Sequence, residues 1–319
     1  MNLCDLCPRR CNVSRLSGDR GFCGAVDEVI RISRAALHFW EEPCISGTRG
    51  SGTVFFSYCS LKCVYCQNTE ISRGLAGADV DVSRLAEIML ELQERGAHNI
   101  NLVTPTHYVN HITAARDIAK SRGRTLPIVY NTGGYELPSV IKKLRGYVDI
   151  FLTDYKYADN EDAKKYSGVS DYVEFADEAL EKMVEIAPLK FENVEGCRDD
   201  NTKQEIQIMK SGVIIRHLLL PGKLVKAKNI LKRLYNKYGD SVYFSLMSQY
   251  TPMKNFGINN GVDMSNIDEN LLKPVTAHEY NRLISYAERL GVKNAFIQDG
   301  SAASESFIPP FDLTGVLKS

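Results

Sequence analysis

Cys59, Cys63 and Cys66 form a C-x3-C-x2-C run directly after the β-branched and aromatic stretch Thr53-Val-Phe-Phe-Ser-Tyr58. Three thiolates so placed can hold an iron–sulfur cube by three of its four irons and leave the fourth open to a reactant. Zinc is the chemical rival, because soft thiolates serve both. A closed structural zinc site wants four protein ligands, and this run has three. A second group, Cys4-x2-Cys7-x3-Cys11-x11-Cys23, supplies four soft ligands close in sequence. It suits a closed zinc site or an auxiliary iron–sulfur cluster, and its spacing does not decide between them. Either metal would stabilise a loop-rich segment with little core. Cys44 and Cys197 have no evident partners, and Cys44 reads as a buried small hydrophobe.

The elements that must position these groups follow from the pattern. Residues 1–50, rich in Cys, Gly and Arg with little periodicity, read as a cysteine-rich metal-binding segment, and 51–319 as an α/β barrel. Strands are expected at Thr53–Ser57, Asn99–Val103, Ile128–Asn131, Val148–Thr153, Val213–Leu219, Val242–Leu246 and Ala295–Ile297, each short, apolar and bounded by turn residues. Helices are expected between them at Arg84–Arg95, capped by Ser83, and at His107–Arg122, Leu137–Leu144, Tyr172–Ile186, Lys223–Tyr238 and Ala277–Leu290. A strand-then-helix rhythm implies parallel strands joined by right-handed crossovers, here about six units of a partial (β/α)6 barrel. Leu189–Gln204 reads as an exposed polar insertion and Ser248–Lys273 as a long loop at the barrel mouth. Active sites of such barrels lie at the carboxyl ends of the strands, where the cysteine loop begins.

Composition narrows the classes. Lys plus Arg equals Asp plus Glu at 39 each in 319 residues, and no basic tract suggests nucleic acid or an anionic membrane surface. The longest apolar runs are strand-length, so no bilayer-spanning helix is expected. The amino terminus lacks the apolar core of a secretory signal. Nine cysteines, an odd count, favour metal binding or catalysis over a disulfide framework. The chain reads as cytoplasmic and reduced, and an oxygen-sensitive cluster would suit an anaerobic setting.

The triad, with Tyr65 before its last cysteine, resembles the signature of the radical S-adenosylmethionine (SAM) enzymes. Glu42-Pro-Cys-Ile-Ser-Gly-Thr-Arg-Gly-Ser-Gly before it, and Cys4-Asp-Leu-Cys7-Pro-Arg-Arg-Cys11, are similar to the branch related to pyruvate formate-lyase-activating enzymes. The resemblance implies a [4Fe–4S] cluster on Cys59, Cys63 and Cys66, with SAM chelating the open iron. An electron from the cluster would cleave the sulfonium to a 5′-deoxyadenosyl radical that takes a hydrogen atom from a substrate. It implies an electron donor such as flavodoxin or ferredoxin, and a protein substrate of the glycyl-radical type. Action on a small molecule or peptide is the alternative, and a zinc-stabilised, non-catalytic scaffold is the reading from another class.

The same resemblance assigns further residues. Tyr65 would lie near the adenine, with an ordinary loop aromatic as the plainer reading. The family's glycine-rich second-strand motif is missing; Val103-Thr104-Pro105-Thr106-His107 occupies its place, and Thr104, Thr106 or a carbonyl would supply the polar contact. Asn131-Thr132-Gly133-Gly134 is similar to the family turn that approaches ribose and carboxylate. Asp154 and Lys156 resemble the family's Asp-Leu-Lys, with Lys156 facing the SAM carboxylate and Asp154 joining Thr132 at a monovalent cation. Arg216 matches a late-strand arginine, and a charge inside an apolar strand needs a partner. Its neighbour His217 faces the other way and reads as a packing residue. Gln249 and Tyr250 are substrate-side candidates. His38, His98 and His111 read as satisfied or exposed.

Overall fold

The computed structural model describes residues 3–198, 205–252, 268–298 and 309–318. Ten strands form one sheet among these residues: β1 (Ile30–His38), β2 (Ser51–Phe56), β3 (Ala78–Val80), β4 (Ile100–Val103), β5 (Ile128–Thr132), β6 (Ile150–Asp154), β7 (Lys190–Arg198), β8 (Glu205–Leu218), β9 (Tyr243–Met247) and β10 (Ala295–Ile297). Their order is β10-β9-β8-β6-β5-β4-β2-β1-β3, with β7 on the side of β8. From β2 to β10 the pairings along this order are parallel. These strands are the seven expected from the sequence. Parallel strands are covered on both faces, so they read as nearly continuous apolar runs. All six residues of β2 and all five of β5 are buried.

Helices fill the crossovers. They are α1 (Pro43–Ser46), α2 (Thr69–Ser72), α3 (Val82–Glu94), α4 (Val109–Ser121), α5 (Pro138–Lys143), α6 (Asn160–Ser167), α7 (Tyr172–Ile186), α8 (Leu224–Tyr238) and α9 (Ala277–Leu290). The expected Ser83 cap is corrected to Asp81, whose carboxylate accepts the Arg84 N–H at 2.7 Å. α9 begins in a capping box between Thr276 and Glu279.

Three elements depart from the sequence pattern. β1 lies within the stretch 1–50 yet pairs antiparallel with β2, and β3 closes that edge against β1. The expected insertion at Leu189–Gln204 begins instead as β7, antiparallel to an extended β8. Its alternation of charged and apolar residues is that of an exposed strand pair. Residues 253–267 of the expected mouth loop lie outside the described residues.

Candidate active site

The cysteine loop leaves β2 through two left-handed residues, Tyr58 (φ +77°) and Lys62 (φ +50°). Such backbone is costly for a non-glycine residue and persists only where surroundings hold it. Here the Tyr58 ring is wedged between Gly24 and Gly74: a Cβ on Gly74 would sit 2.1 Å from it, one on Gly24 3.0 Å. Within the loop, the Leu61 N–H points at Cys59 Sγ (3.4 Å), and Ser167 Oγ, from the end of α6, donates to Cys63 Sγ at 2.9 Å. Burial pushes the Cys59 thiol up and the Cys66 thiol up to about 12, with neighbouring cysteines adding to both. Thiols pushed up in this way ionise readily only beside a cation.

Cys59, Cys63 and Cys66 line one cleft of about 270 Å³ together with Tyr65, Thr104, Asn131, Thr132, Gly133, Asp154, Lys156, Arg216 and Gln249. These residues come from β2, β4, β5, β6, β8 and β9 or the turns just after them. The sheet must therefore curl so that its carboxyl ends converge, as in a partial barrel. β2 and β1 run antiparallel, with His38 opposite Ser51. His38, Trp40 and Glu41, from the end of β1 and the turn after it, line the same cleft.

Charges in the cleft form one network. Asp154 accepts from Lys156 Nζ at 2.6 Å and from Arg216 Nε at 3.0 Å. Arg216 also donates to Asn131 Oδ1 at 2.6 Å and meets Glu41 Oε2 at 3.4 Å. The other Glu41 oxygen accepts from Asn101 (2.9 Å) and Asn131 (3.4 Å). Burial disfavours each charge, but the partners decide the direction for three of them. Lys156 and Arg216 hold the Asp154 carboxyl below its usual range, and Asp154 keeps both cations charged. Burial wins at Glu41 and Glu42, whose carboxyls are pushed up against the pull of Arg216.

A further buried carboxyl, separate from this network, lies behind the β4 and β5 ends. Glu136 is fully buried, accepts from Thr106 Oγ1 at 2.6 Å and from the Thr132 hydroxyl, and meets Tyr130 OH at 3.4 Å. Burial pushes it up to about 7 against these hydrogen bonds. Thr132 and Asp154 thus have different partners. The Thr132 hydroxyl serves Glu136, and both Asp154 oxygens are taken by cations.

The other expected residues are placed as follows. Thr104 ends β4 in left-handed backbone (φ +59°). A Cβ on Gly134 (φ +82°) would lie 2.2 Å from the Asp154 carbonyl oxygen, and one on Gly133 2.9 Å from Leu61 of the cysteine loop. The Gly-Gly turn therefore packs against both. Tyr65 is buried among Tyr157, Tyr166 and Tyr250, its hydroxyl 3.0 Å from that of Tyr157. Tyr250 donates to the Leu271 carbonyl and does not line the cleft. His217 is buried with Nδ1 on the Tyr155 carbonyl at 2.7 Å. Cys44 packs in a separate apolar cluster with Ile45, Val129 and Leu152. The Cys197 side chain lies outside the described residues. The eight cysteines with described side chains are free thiols.

Sequence reasoning passed over Glu41, Glu136, Asn101 and Ser167. Signals existed for the carboxylates: Glu41-Glu42 sits between Trp40 and Pro43, and Glu136 between Tyr135 and Leu137.

The soft donor set fits an iron–sulfur cluster with one corner left to a ligand. Among the described residues, no three His, Cys, Asp or Glu side chains are arranged to hold a single metal ion. No described helix is long and apolar enough to cross a membrane. Residues 53–190 match the model of the radical SAM superfamily. The chain is 26% identical over 258 residues to an uncharacterized protein of Methanocaldococcus jannaschii, an alignment covering 78% of this chain and 66% of that protein. The solved structure of Streptococcus suis SuiB bound to precursor peptide SuiA matches with a TM-score of 0.45 at 12% identity, covering 76% of this chain and 46% of that one. A likeness at that level carries nothing about this chain's substrate.

Proposed function

We propose, from the premise that residues 53–190 form a radical SAM domain, that this protein is a radical SAM oxidoreductase of the glycyl-radical-activating type. In this reading it removes a hydrogen atom from a glycine of a partner protein. Such a domain implies a [4Fe–4S] cluster and SAM, which together supply one-electron reductive cleavage and hydrogen-atom abstraction when bound. Cys59, Cys63 and Cys66 would hold the cluster. The observation that carries the reading is that these three thiols share one cleft with the Lys156–Asp154–Arg216 network and the Gly133-Gly134 turn.

Each residue has a task the geometry supports. Lys156 stays protonated in the cleft and offers its ammonium to a ligand carboxylate. Arg216 and Asp154 fix its direction, because a paired buried charge is held in one geometry. Asn131, Thr132 and Thr104 present polar groups at adjoining strand ends. Ser167 and the Leu61 N–H donate to the cysteine sulfurs, an interaction that tunes cluster potentials. A reducing, cytoplasmic setting accords with the free thiols.

The protein-substrate part of the reading is supported by Trp40, which lines the cleft, is 66% exposed and follows an exposed Phe39 in the chain. Exposed aromatics at a cleft mouth are the kind of surface a partner chain covers.

The test is anaerobic. Protein reconstituted with iron and sulfide, then given dithionite and SAM, is expected to release 5′-deoxyadenosine, and Cys63→Ala to release none. An intact cluster without that product sinks the reading. With a candidate partner protein, electron paramagnetic resonance is expected to show a glycyl radical. Product without such a radical across partners would move the substrate to a small molecule or peptide.

A further inference from the structure

The four amino-terminal cysteines stand outside the residues matched to the radical SAM domain, yet the backbone gathers them. Cys4 exchanges hydrogen bonds with the chain at residues 12 and 13: its N–H donates to the Val13 carbonyl at 2.9 Å, and its carbonyl accepts from Asn12 at 3.2 Å. The Arg10 N–H donates back to the Cys7 carbonyl at 3.1 Å. Arg10 (φ +42°) and Asn12 (φ +52°) on either side of Cys11 are left-handed. The chain then returns through Gly21, where a Cβ would sit 2.9 Å from Cys11 Sγ, and the Phe22 N–H donates to that sulfur at 3.3 Å. Cys7 lies within electrostatic reach of Cys11 and Cys23, and Cys23 within reach of Cys4 and Cys11.

Side chains rather than regular structure hold the rest of this segment, among them buried Arg15, which donates to the His107 carbonyl at 2.7 Å and to the Val26 carbonyl at 2.8 Å. One short 3-10 turn, Arg15–Ser17, is its regular structure before β1. Left-handed backbone is unfavourable for a residue such as Arg10 and persists where its surroundings hold it. Soft sulfur donors select zinc or an iron–sulfur cluster. Four thiolates on one zinc crowd around a single centre, and no such convergence on one ion occurs among the described residues. A multi-iron body is larger and spreads its four ligands over its corners.

We infer that Cys4, Cys7, Cys11 and Cys23 hold a second iron–sulfur cluster, separate from the one assigned to the Cys59–Cys66 loop. This centre adjoins that loop. Arg9 donates to the carbonyls of Ser60 (2.9 Å), Ser167 (2.9 Å) and Gly168 (2.8 Å), and its guanidinium stacks on Phe22. Lys62 donates to the Phe22 carbonyl at 2.7 Å and lies within electrostatic reach of both Cys23 and Cys59.

The experiment counts metal rather than turnover. The full chain carrying Cys59→Ala, Cys63→Ala and Cys66→Ala together is purified and reconstituted without oxygen. It is expected to keep about two to four irons with matching sulfide per chain, a visible charge-transfer band and a reducible paramagnetic signal. Adding Cys23→Ala is expected to remove all three. About one zinc per chain in place of iron, or a metal-free chain, overturns the inference. If the triple variant does not fold, Cys7→Ser with Cys11→Ser in an otherwise unchanged chain decides. Its iron is expected to fall by a third to a half relative to the parent, and unchanged iron overturns the inference.

Discussion

The two cysteine groups present the same ligand atoms on opposite kinds of scaffold. The Cys59–Cys66 loop hangs from β2, a wholly buried strand in a parallel sheet, and faces the ends of several other strands across the cleft. The Cys4–Cys23 segment has one 3-10 turn and is tied to the molecule through Arg9, Arg15, Arg20 and Lys62 and through the Tyr58 ring. A loop fixed by a sheet can leave a coordination position open for chemistry. A segment with little core needs its metal closed and resident for its own stability. The difference lies in what surrounds the cysteines rather than in the cysteines.

That contrast can be broken most forcefully at the cleft. Cys63→Ala is expected to abolish 5′-deoxyadenosine formation and lose the cleft's iron, while iron at the amino-terminal group survives; iron analysis and product assay on one sample check this. Next, Arg216→Met would leave Asp154 and Glu41 without their shared cation. Removing one partner of a buried charge pair costs about 3–5 kcal/mol, so a large drop in the urea midpoint is expected, and an unchanged midpoint would show that the network is not structural.

Glu136 sharpens the same side through pH. Its folded value of about 7 lies above the ordinary 4.5. The folded chain therefore holds a proton that the unfolded chain releases, and the associated stability is present below about pH 4.5 and lost as pH rises through about 7. The full loss is roughly 3 kcal/mol. Glu136→Gln should flatten that part of the profile between pH 5 and 8, as read from unfolding midpoints.

Arg9→Met tests the tether between the regions. Hydrogen bonds from a charged donor contribute about 1.5–3 kcal/mol, and less where water competes as it does here. Faster proteolysis before β1 is expected, with little change in global stability. The smallest effect is a control outside both regions. Asp81→Ala should cost about 1 kcal/mol through the lost α3 cap, whereas Ser83→Ala should stay within about 0.5 kcal/mol.

Seven parallel strands and six of the helices were legible in the residues, because a strand buried on both faces is an apolar run wherever it ends up; the short, polar α6, which carries Ser167, was not. The boundaries of α7, α9 and β10 coincide with the expected ones. β1 and β7 were not legible, since antiparallel strands that carry charged residues resemble loops until a neighbour supplies their hydrogen bonds.

By itself the sequence determined the cysteine spacings, the strand-and-helix rhythm and hence the placing of the triad at a strand's carboxyl end. These depend on residues a few positions apart. Tertiary structure decided which charges meet: Glu41 reaches Arg216 across 175 positions, and Arg9 reaches Ser167 across 158. No local pattern encodes such pairs. A buried charge is tolerated only where the fold delivers its partner, and that delivery depends on the whole path of the chain.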